Sequence, residues 1–133
     1  MYLLDTTTVS DYLRGDKNVL ARLKATSPKL IAISSITKFE IEYGLIKKPS
    51  LRKVYTEQIQ EIYAQTKDIQ FDSEVATMAA LIRNELVKAG TPIGVADLFI
   101  AAIARHHNLI VVTSNIRHFE KISHLNWEDW KTT

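Results

Sequence analysis

The chain has 133 residues, of which 46% are hydrophobic and 24% are charged, and this favours one globular domain, 1–133, over a disordered or fibrous chain. It contains no cysteine, which excludes disulfides, thiolate metal sites and thiol nucleophiles and is most simply reconciled with the reducing cytoplasm. The formal net charge of +2 is compatible with nucleic acid but does not indicate it, because such binding depends on clustered Lys and Arg.

The first half of the chain alternates short apolar runs with helical patterns. In chain order these predict a strand at Tyr2–Leu4, a helix after Asp5, a helix at 19–24, a strand at 30–33, a helix after Ser34 and a helix at 51–64. In the helix after Ser34, one stripe at helical spacing is apolar, and we expect it to form the buried face: Ile36, Phe39, Tyr43 and Ile46.

The second half predicts a strand at 68–71, an amphipathic helix at 73–89, a buried helix at 98–104 and a strand at 109–112. Trp127 and Trp130 are expected to pack near the C-terminus. Fully apolar strands that alternate with helices are typical of an α/β fold, here an α/β/α sandwich with a mainly parallel sheet of about four to five strands. No apolar stretch reaches the length of a membrane span, so we expect no membrane insertion.

Two polar positions follow predicted strands. Asp5 comes directly after the first strand, and Asn115 ends the polar segment 113–115 after the strand at 109–112. In open α/β sheets, ligands gather beyond the carboxyl ends of the strands. Asp5 is therefore a candidate site residue, although it can equally serve as the N-cap of the following helix.

Two further carboxylates lie on predicted helices. Glu40 is four residues after Ile36, so the helix turns it toward the side of the apolar stripe, where a charged group needs a partner. It can also be a boundary residue that reaches water or pairs with Lys or Arg. Asp97 is the one acidic group at the start of an otherwise apolar helix, and it can be catalytic or a first-turn charge that favours the helix dipole.

These side chains together suggest a metal site. Asp5, Glu40 and Asp97 come from separate elements, and if they converge their mutual repulsion raises their pKa values unless a cation neutralises them. Mg²⁺ prefers oxygen ligands of this kind and Mn²⁺ accepts similar ones, while Asn115 offers a neutral oxygen. Hydrolysis of phosphodiester bonds is the reaction that such a site favours.

Four motifs then resemble one family. The segments LLDT at 3–6, SITKFEIEYG at 35–44, IGVADLFIAA at 93–102 and TSNIRHF at 113–119 are similar, in this order and spacing, to motifs of PIN-domain ribonucleases. The resemblance covers almost the whole chain and is specifically to the VapC-like toxins of type II toxin–antitoxin systems. It implies a Mg²⁺-dependent endoribonuclease, with Mn²⁺ as a possible substitute.

The resemblance also implies roles and partners. It implies that Asp5 and Asp97 bind the metal, that Glu40 binds it directly or through water, and that Asn115 lies near the family's fourth acidic position. The substrate would be RNA, such as tRNA or rRNA. The implied partners are a second copy in a homodimer, a VapB-like antitoxin that neutralises the toxin, and operator DNA bound only through the antitoxin complex.

The chain departs from the family pattern in two places. Thr7 stands where relatives usually carry Asn, and neither Asn115 nor His118 is acidic, although relatives often carry an acid at one of these positions. Six basic residues are candidates for phosphate contacts, although each can equally be an ordinary solvated side chain: Arg14, Lys17, Lys47, Lys48, Arg52 and Lys53.

Two other functions remain in competition. The missing fourth acid is compatible with a catalytically impaired PIN-like module that acts by binding RNA or protein. A phosphotransfer domain with Asp5 as covalent acceptor is the second alternative, which the placement of Glu40 and Asp97 disfavours. The pair His106-His107 does not form an H-E-x-x-H metal motif, and we interpret it as a pair of boundary or surface residues.

Overall fold

The computed structural model describes residues 1–132, so Thr133, the last residue of the predicted domain, lies outside the described residues. Five strands form one parallel sheet in the order β3-β2-β1-β4-β5. The strands are β1 (Tyr2–Leu4), β2 (Ile31–Ser34), β3 (Lys67–Ile69), β4 (Ile110–Val112) and β5 (Asn126–Glu128). The predicted α/β class with a parallel sheet is confirmed.

In the described part of the chain, residues 1–132, seven α-helices connect and cover these strands. They are α1 (Thr6–Leu13), α2 (Lys17–Ala25), α3 (Ser35–Lys47), α4 (Pro49–Gln65), α5 (Ser73–Lys88), α6 (Val95–His107) and α7 (Ile116–Phe119). Short polar side chains begin several of them, because an N-cap oxygen accepts a hydrogen bond from a free backbone N–H of the first turn. Asp5 does so for α1, Ser34 for α3 and Asp72 for α5.

Helices pack on both faces of the sheet. Successive strand residues point to opposite faces, so Leu3 packs in one apolar cluster and Leu4 in the other. The first cluster joins the sheet to α5, α6 and α7, and the second joins it to α1, α2, α3 and α4. The prediction of a buried helix is confirmed, because Ile100 and the four residues that follow it in α6 are completely buried.

The fifth strand was not predicted. The segment Asn126–Glu128 lacks the apolar run that indicates an inner strand. In the structure β5 lies at the sheet edge, where Asn126 and Trp127 are exposed. The strand predicted at 68–71 is shifted, since β3 spans Lys67–Ile69 with its first two residues exposed at the sheet edge. Trp130 packs near the C-terminus as expected and is almost completely buried.

The buried face predicted for α3 is wrong for three of its four residues, since only Ile36 packs against the core. Phe39, Tyr43 and Ile46 are 66%, 54% and 67% exposed, and the buried residues of the helix are Thr37, Ile41 and Leu45. Both sets repeat at helical spacing, and α3 packs against α1 and α4 through the second set. The exposed aromatic rings stack on each other, with centroids 6.3 Å apart.

Replacing Ile103 by Val is expected to lower the free energy of unfolding by about 1 kcal/mol, because a completely buried methyl group leaves a small void in α6. Urea denaturation measures the difference. The matched control is Ile46→Val, which makes the same change on an exposed residue of α3 and is expected to have almost no effect. Equal losses in the two variants would contradict the placement of α6 in the core.

No helix within residues 1–132 is both long enough and apolar enough to cross a membrane.

Candidate active site

Asp5 lies at the edge of the sheet where β1 and β4 end. Its backbone N–H donates to the Val112 carbonyl oxygen at 3.1 Å, which continues the β1–β4 pairing by one residue. The side chain is 1% exposed. The prediction that Asp5 is an N-cap and the prediction that it lies at this sheet edge are therefore compatible.

Hydroxyl and amide groups surround the Asp5 carboxylate. Its Oδ1 accepts hydrogen bonds from the Thr8 backbone N–H at 2.9 Å and from the Thr7 hydroxyl at 2.8 Å. Burial raises the pKa of Asp5 from 3.8 to about 6, and hydrogen bonds from Thr113, Thr8 and Thr7 only partly oppose that shift. A cation beside this buried carboxylate would favour its ionised form.

Thr7 joins α1 to the segment after β4. Its hydroxyl donates to Asp5 and accepts from the Ser114 backbone N–H at 3.0 Å. The Ser114 hydroxyl in turn donates to Oδ2 of Asp11 at 3.2 Å, and Arg14 pairs with the other oxygen of Asp11 at 2.7 Å. These hydrogen bonds hold the start of α1 against the segment that follows β4, and so they position the Asp5 carboxylate at the end of the sheet.

Sequence reasoning missed Asp11, which is 3% exposed. A signal for it was present, because Asp11 lies three residues after the buried Thr8 and so faces the same side of α1. A carboxylate on the buried side of a helix requires partners.

Glu40 is half-buried on α3 and accepts a hydrogen bond from the Thr6 hydroxyl at its Oε1. Because Thr6 follows Asp5 directly, this contact brings Glu40 beside the start of α1. A groove of about 460 Å³ opens next to it between α1, α3 and α4, and its lining includes Arg14, Lys47 and Lys48.

The other candidate basic residues are outside this groove lining. Arg52 pairs with Glu42 at 3.4 Å, while Lys17 and Lys53 are exposed.

Asp97 and Asn115 are in contact, as the sequence predicts for residues of one site. Asp97 lies in the first turn of α6, and its Oδ2 accepts a hydrogen bond from the Asn115 side-chain nitrogen at 3.2 Å. The same Oδ2 is in contact with Nδ1 of His118, which lies on α7. The sequence identifies His118 only as a departure from the family motif and does not predict this contact.

The described residues do not bring the three predicted carboxylates into one cluster. Among residues 1–132, no group of three His, Cys, Asp or Glu side chains is arranged closely enough to hold a metal ion. The chemistry of the donors nevertheless fits a hard divalent ion, because carboxylate and hydroxyl oxygens supply the site and the buried Asp5 lies among neutral groups.

Comparison with known proteins identifies the family. The sequence profile of the PIN domain matches residues 2–125. The chain is 30% identical over 129 residues to the tRNA(fMet)-specific endonuclease VapC of Salmonella typhimurium, covering 97% of each chain. It is 33% identical over 134 residues to the ribonuclease VapC2 of Haemophilus influenzae, again with 97% of each covered.

Solved structures give the same result. The VapBC2 complex of Rickettsia felis, bound to a DNA fragment from its promoter, contains a chain with a TM-score of 0.89 and 28% identity, covering 97% of this chain and 98% of that one. DNA-bound VapBC of Salmonella typhimurium gives a TM-score of 0.87 and 32% identity, with 97% of each chain covered. The chain therefore belongs to the PIN-domain family and is a VapC-like member of it.

Proposed function

We propose that this protein is a Mg²⁺-dependent endoribonuclease, a VapC-like toxin that a VapB-like antitoxin neutralises. The observation that carries the proposal is the buried Asp5 carboxylate, held by Thr7 and Thr8 at the sheet edge. Asp97 and Asn115 lie in contact with each other beyond the end of the neighbouring strand β4. The relatives named as ribonucleases and endonucleases support the same activity.

The proposed ligands are Asp5 and Asp97, with Glu40 direct or through water, and Mn²⁺ is a possible substitute for Mg²⁺. Held by these residues, an ion of this class would supply Lewis-acid stabilisation to a phosphate oxygen and would help to activate water as a nucleophile near neutral pH. Thr7 and Thr8 fix the orientation of the Asp5 carboxylate. Thr6 does the same for Glu40, and Asn115 for Asp97.

We propose RNA as the substrate, with tRNA or rRNA as the first candidates. The groove beside Glu40 supports this, because its three cationic side chains, Arg14, Lys47 and Lys48, suit a phosphate backbone. A single-stranded loop is the expected target, since its bases can be unstacked and read. The tRNA specificity in the name of the Salmonella typhimurium relative supports testing tRNA first.

The partners follow from the solved relatives. Several of these are VapBC complexes, and those of Rickettsia felis and Salmonella typhimurium are bound to DNA. We infer that this chain binds a VapB-like antitoxin, that the complex binds operator DNA through the antitoxin, and that the toxin forms a homodimer in the cytoplasm.

Cleavage of total RNA by the purified, antitoxin-free protein tests this proposal. Discrete cleavage with Mg²⁺ or Mn²⁺ that stops with EDTA is the expected result, and mapping of the new ends identifies the target. RNA binding without cleavage in any metal would instead support the catalytically impaired module, for which the absent acid at Asn115 and His118 is the observation.

Replacing Thr7 by Val is expected to lower kcat about tenfold, because the isosteric side chain keeps its volume but no longer orients Asp5 or accepts from Ser114. Thr7→Ser restores the hydroxyl and is expected to restore the rate. Single-turnover cleavage measures both. The control is Thr77→Val on the exposed side of α5, and a rate for Thr7→Val equal to this control would exclude the orienting role.

Replacing Lys47 and Lys48 together by Ala is expected to raise KM for RNA and leave kcat nearly unchanged, since both residues line the groove. The slope of log affinity against log salt is expected to become shallower by about 1.4 units, because each of the two lost phosphate contacts on a single strand contributes about 0.7. Filter binding at several salt concentrations measures the slope. The control removes Lys29 and Lys88, which lie just before β2 and at the end of α5, and it is expected to keep the wild-type slope.

A further inference from the structure

We propose that His118 is a direct ligand of the active-site metal, together with Asp97 and Asn115, and that this nitrogen ligand shifts the relative affinity of the site from Mg²⁺ toward Mn²⁺. The inference rests on the proposed function, because it concerns the metal that the proposed reaction uses.

The geometry of three donor atoms is the first argument. Nδ1 of His118 contacts Oδ2 of Asp97, the Asn115 amide lies 2.8 Å from that Nδ1, and the same amide lies 3.2 Å from that Oδ2. Adjacent ligands of an octahedral ion, each about 2.1 Å from the metal, are separated by about 3 Å. The two distances from the Asn115 amide, 2.8 Å and 3.2 Å, therefore match the spacing of adjacent ligands on one face of a coordination octahedron.

The count of protons is the second argument. With Asp97 ionised, a proton on Nδ1 of His118 can be donated to Asp97, but the Asn115 NH₂ group then faces another donor across 2.8 Å. Without that proton, the bare Nδ1 faces a carboxylate oxygen.

The Asn115 amide can also be turned so that its oxygen, and not its nitrogen, faces His118. The protonated Nδ1 can then donate to this oxygen, but the oxygen lies 3.2 Å from the carboxylate oxygen of Asp97, which is also an acceptor. Each of these arrangements leaves one contact between like groups. A cation between a bare imidazole nitrogen, a carboxylate oxygen and an amide oxygen makes all three contacts favourable.

The position of His118 allows an ion to reach it. The side chains of His118 and Asp97 are 40% and 21% exposed, so solvent reaches both. The backbone of α7 is nevertheless held in place, because the next residue, Phe119, is completely buried in the core. The imidazole is thus presented to solvent from a fixed segment.

The ligand chemistry sets the preference between ions. Mg²⁺ strongly prefers oxygen donors, whereas transition-metal ions accept imidazole readily. A neutral imidazole also brings less negative charge to the site than a carboxylate would at the same position. Both effects weaken Mg²⁺ binding relative to Mn²⁺.

Electron paramagnetic resonance of the Mn²⁺-loaded full chain tests the ligation directly. We expect hyperfine coupling to nitrogen, which changes from the ¹⁴N to the ¹⁵N pattern when the wild-type protein is labelled with ¹⁵N-histidine. The coupling is expected to disappear in His118→Glu. It is expected to remain in His106→Gln, a matched control that removes another histidine paired with a carboxylate, Glu74.

Competition between the two ions gives the selectivity. We expect the ratio of the Mg²⁺ and Mn²⁺ dissociation constants to fall about tenfold or more in His118→Glu and to stay unchanged in His106→Gln. Bound Mn²⁺ without histidine nitrogen coupling in the labelled wild type would overturn the inference, and so would an unchanged ratio in folded His118→Glu.

The proposed function is tested separately in the same preparation. If Mn²⁺ supports RNA cleavage but shows no nitrogen coupling, the ligation by His118 is wrong and the nuclease remains. If neither ion binds and no RNA is cut, both proposals fail.

Discussion

Replacing Asp97 by Asn is expected to lower the rate of RNA cleavage at saturating Mg²⁺ by about a thousandfold, which corresponds to about 4 kcal/mol in the activation barrier. The substitution keeps the shape of the side chain and an oxygen that can accept from Asn115, but it removes the negative charge proposed to hold the ion. Asp97 also lies in the first turn of α6, where loss of a carboxylate costs about 0.5 kcal/mol of stability. The expected effect is therefore almost entirely on activity.

Single-turnover cleavage of a mapped RNA site, with circular dichroism to verify folding, measures this effect. The matched control is Glu74→Gln, because Glu74 is also a first-turn carboxylate in contact with a histidine, but on α5 and away from the sheet edge. A folded Asp97→Asn variant that cuts within threefold of Glu74→Gln would remove Asp97 from the metal site and favour the binding module.

The inner strands were predictable because their sequence shows their environment. Residues 31–33 and 110–112 are apolar runs whose side chains are buried, apart from the half-buried Ile110, as expected for strands covered on both faces. The edge strand β5 gave no such signal. Its pairing depends on β4 already being in place, since Trp127 pairs with Val111, and this is a tertiary contact.

Helix α3 shows the limit of periodicity. Phe39 and Tyr43 have larger side chains than Ile41 and Leu45, but the fold buries Ile41 and Leu45 on another side of the helix. Spacing alone identifies faces of a helix and does not decide which of two faces packs against its neighbours.

For the site, the sequence predicted a set of candidate residues but not most of the contacts that these residues make. Asp97 and Asn115 lie in contact as expected, whereas the three carboxylates do not form one cluster in residues 1–132. The partners that orient the site come from distant parts of the chain, as in the bond from Ser114 to Thr7 across 107 positions. No local pattern encodes such a pair.

Replacing Asp5 by Asn is expected to raise the free energy of unfolding of the metal-free protein at pH 7.5 by about 1–3 kcal/mol, although it abolishes the proposed metal ligand. The pKa of Asp5 is raised by burial from 3.8 to about 6. Below about pH 4 the carboxyl is protonated in both the folded and the unfolded chain, so its burial carries no cost of desolvating a charge and the protein has its full stability. As pH rises through 4 to 6, the unfolded chain ionises more readily, and stability falls.

Asn removes this loss because it is neutral at every pH, and its oxygen can still accept from the Thr8 N–H and cap α1. Urea denaturation in EDTA between pH 4 and 8 measures the effect. We expect the stability of the two proteins to converge near pH 4 and to separate between pH 4 and 6.

Metal addition and a matched cap variant make the interpretation specific. Saturating Mg²⁺ is expected to stabilise the wild type and not Asp5→Asn, because an ion that binds only the folded state adds its binding free energy to stability. Asp72→Asn makes the same change at the exposed N-cap of α5. Its free energy of unfolding is expected to stay close to that of the wild type at every pH. If Asp5→Asn were less stable than wild type at pH 7.5 without metal, burial of a charge would not be the dominant property of Asp5, and hydrogen bonds to its carboxylate would outweigh desolvation.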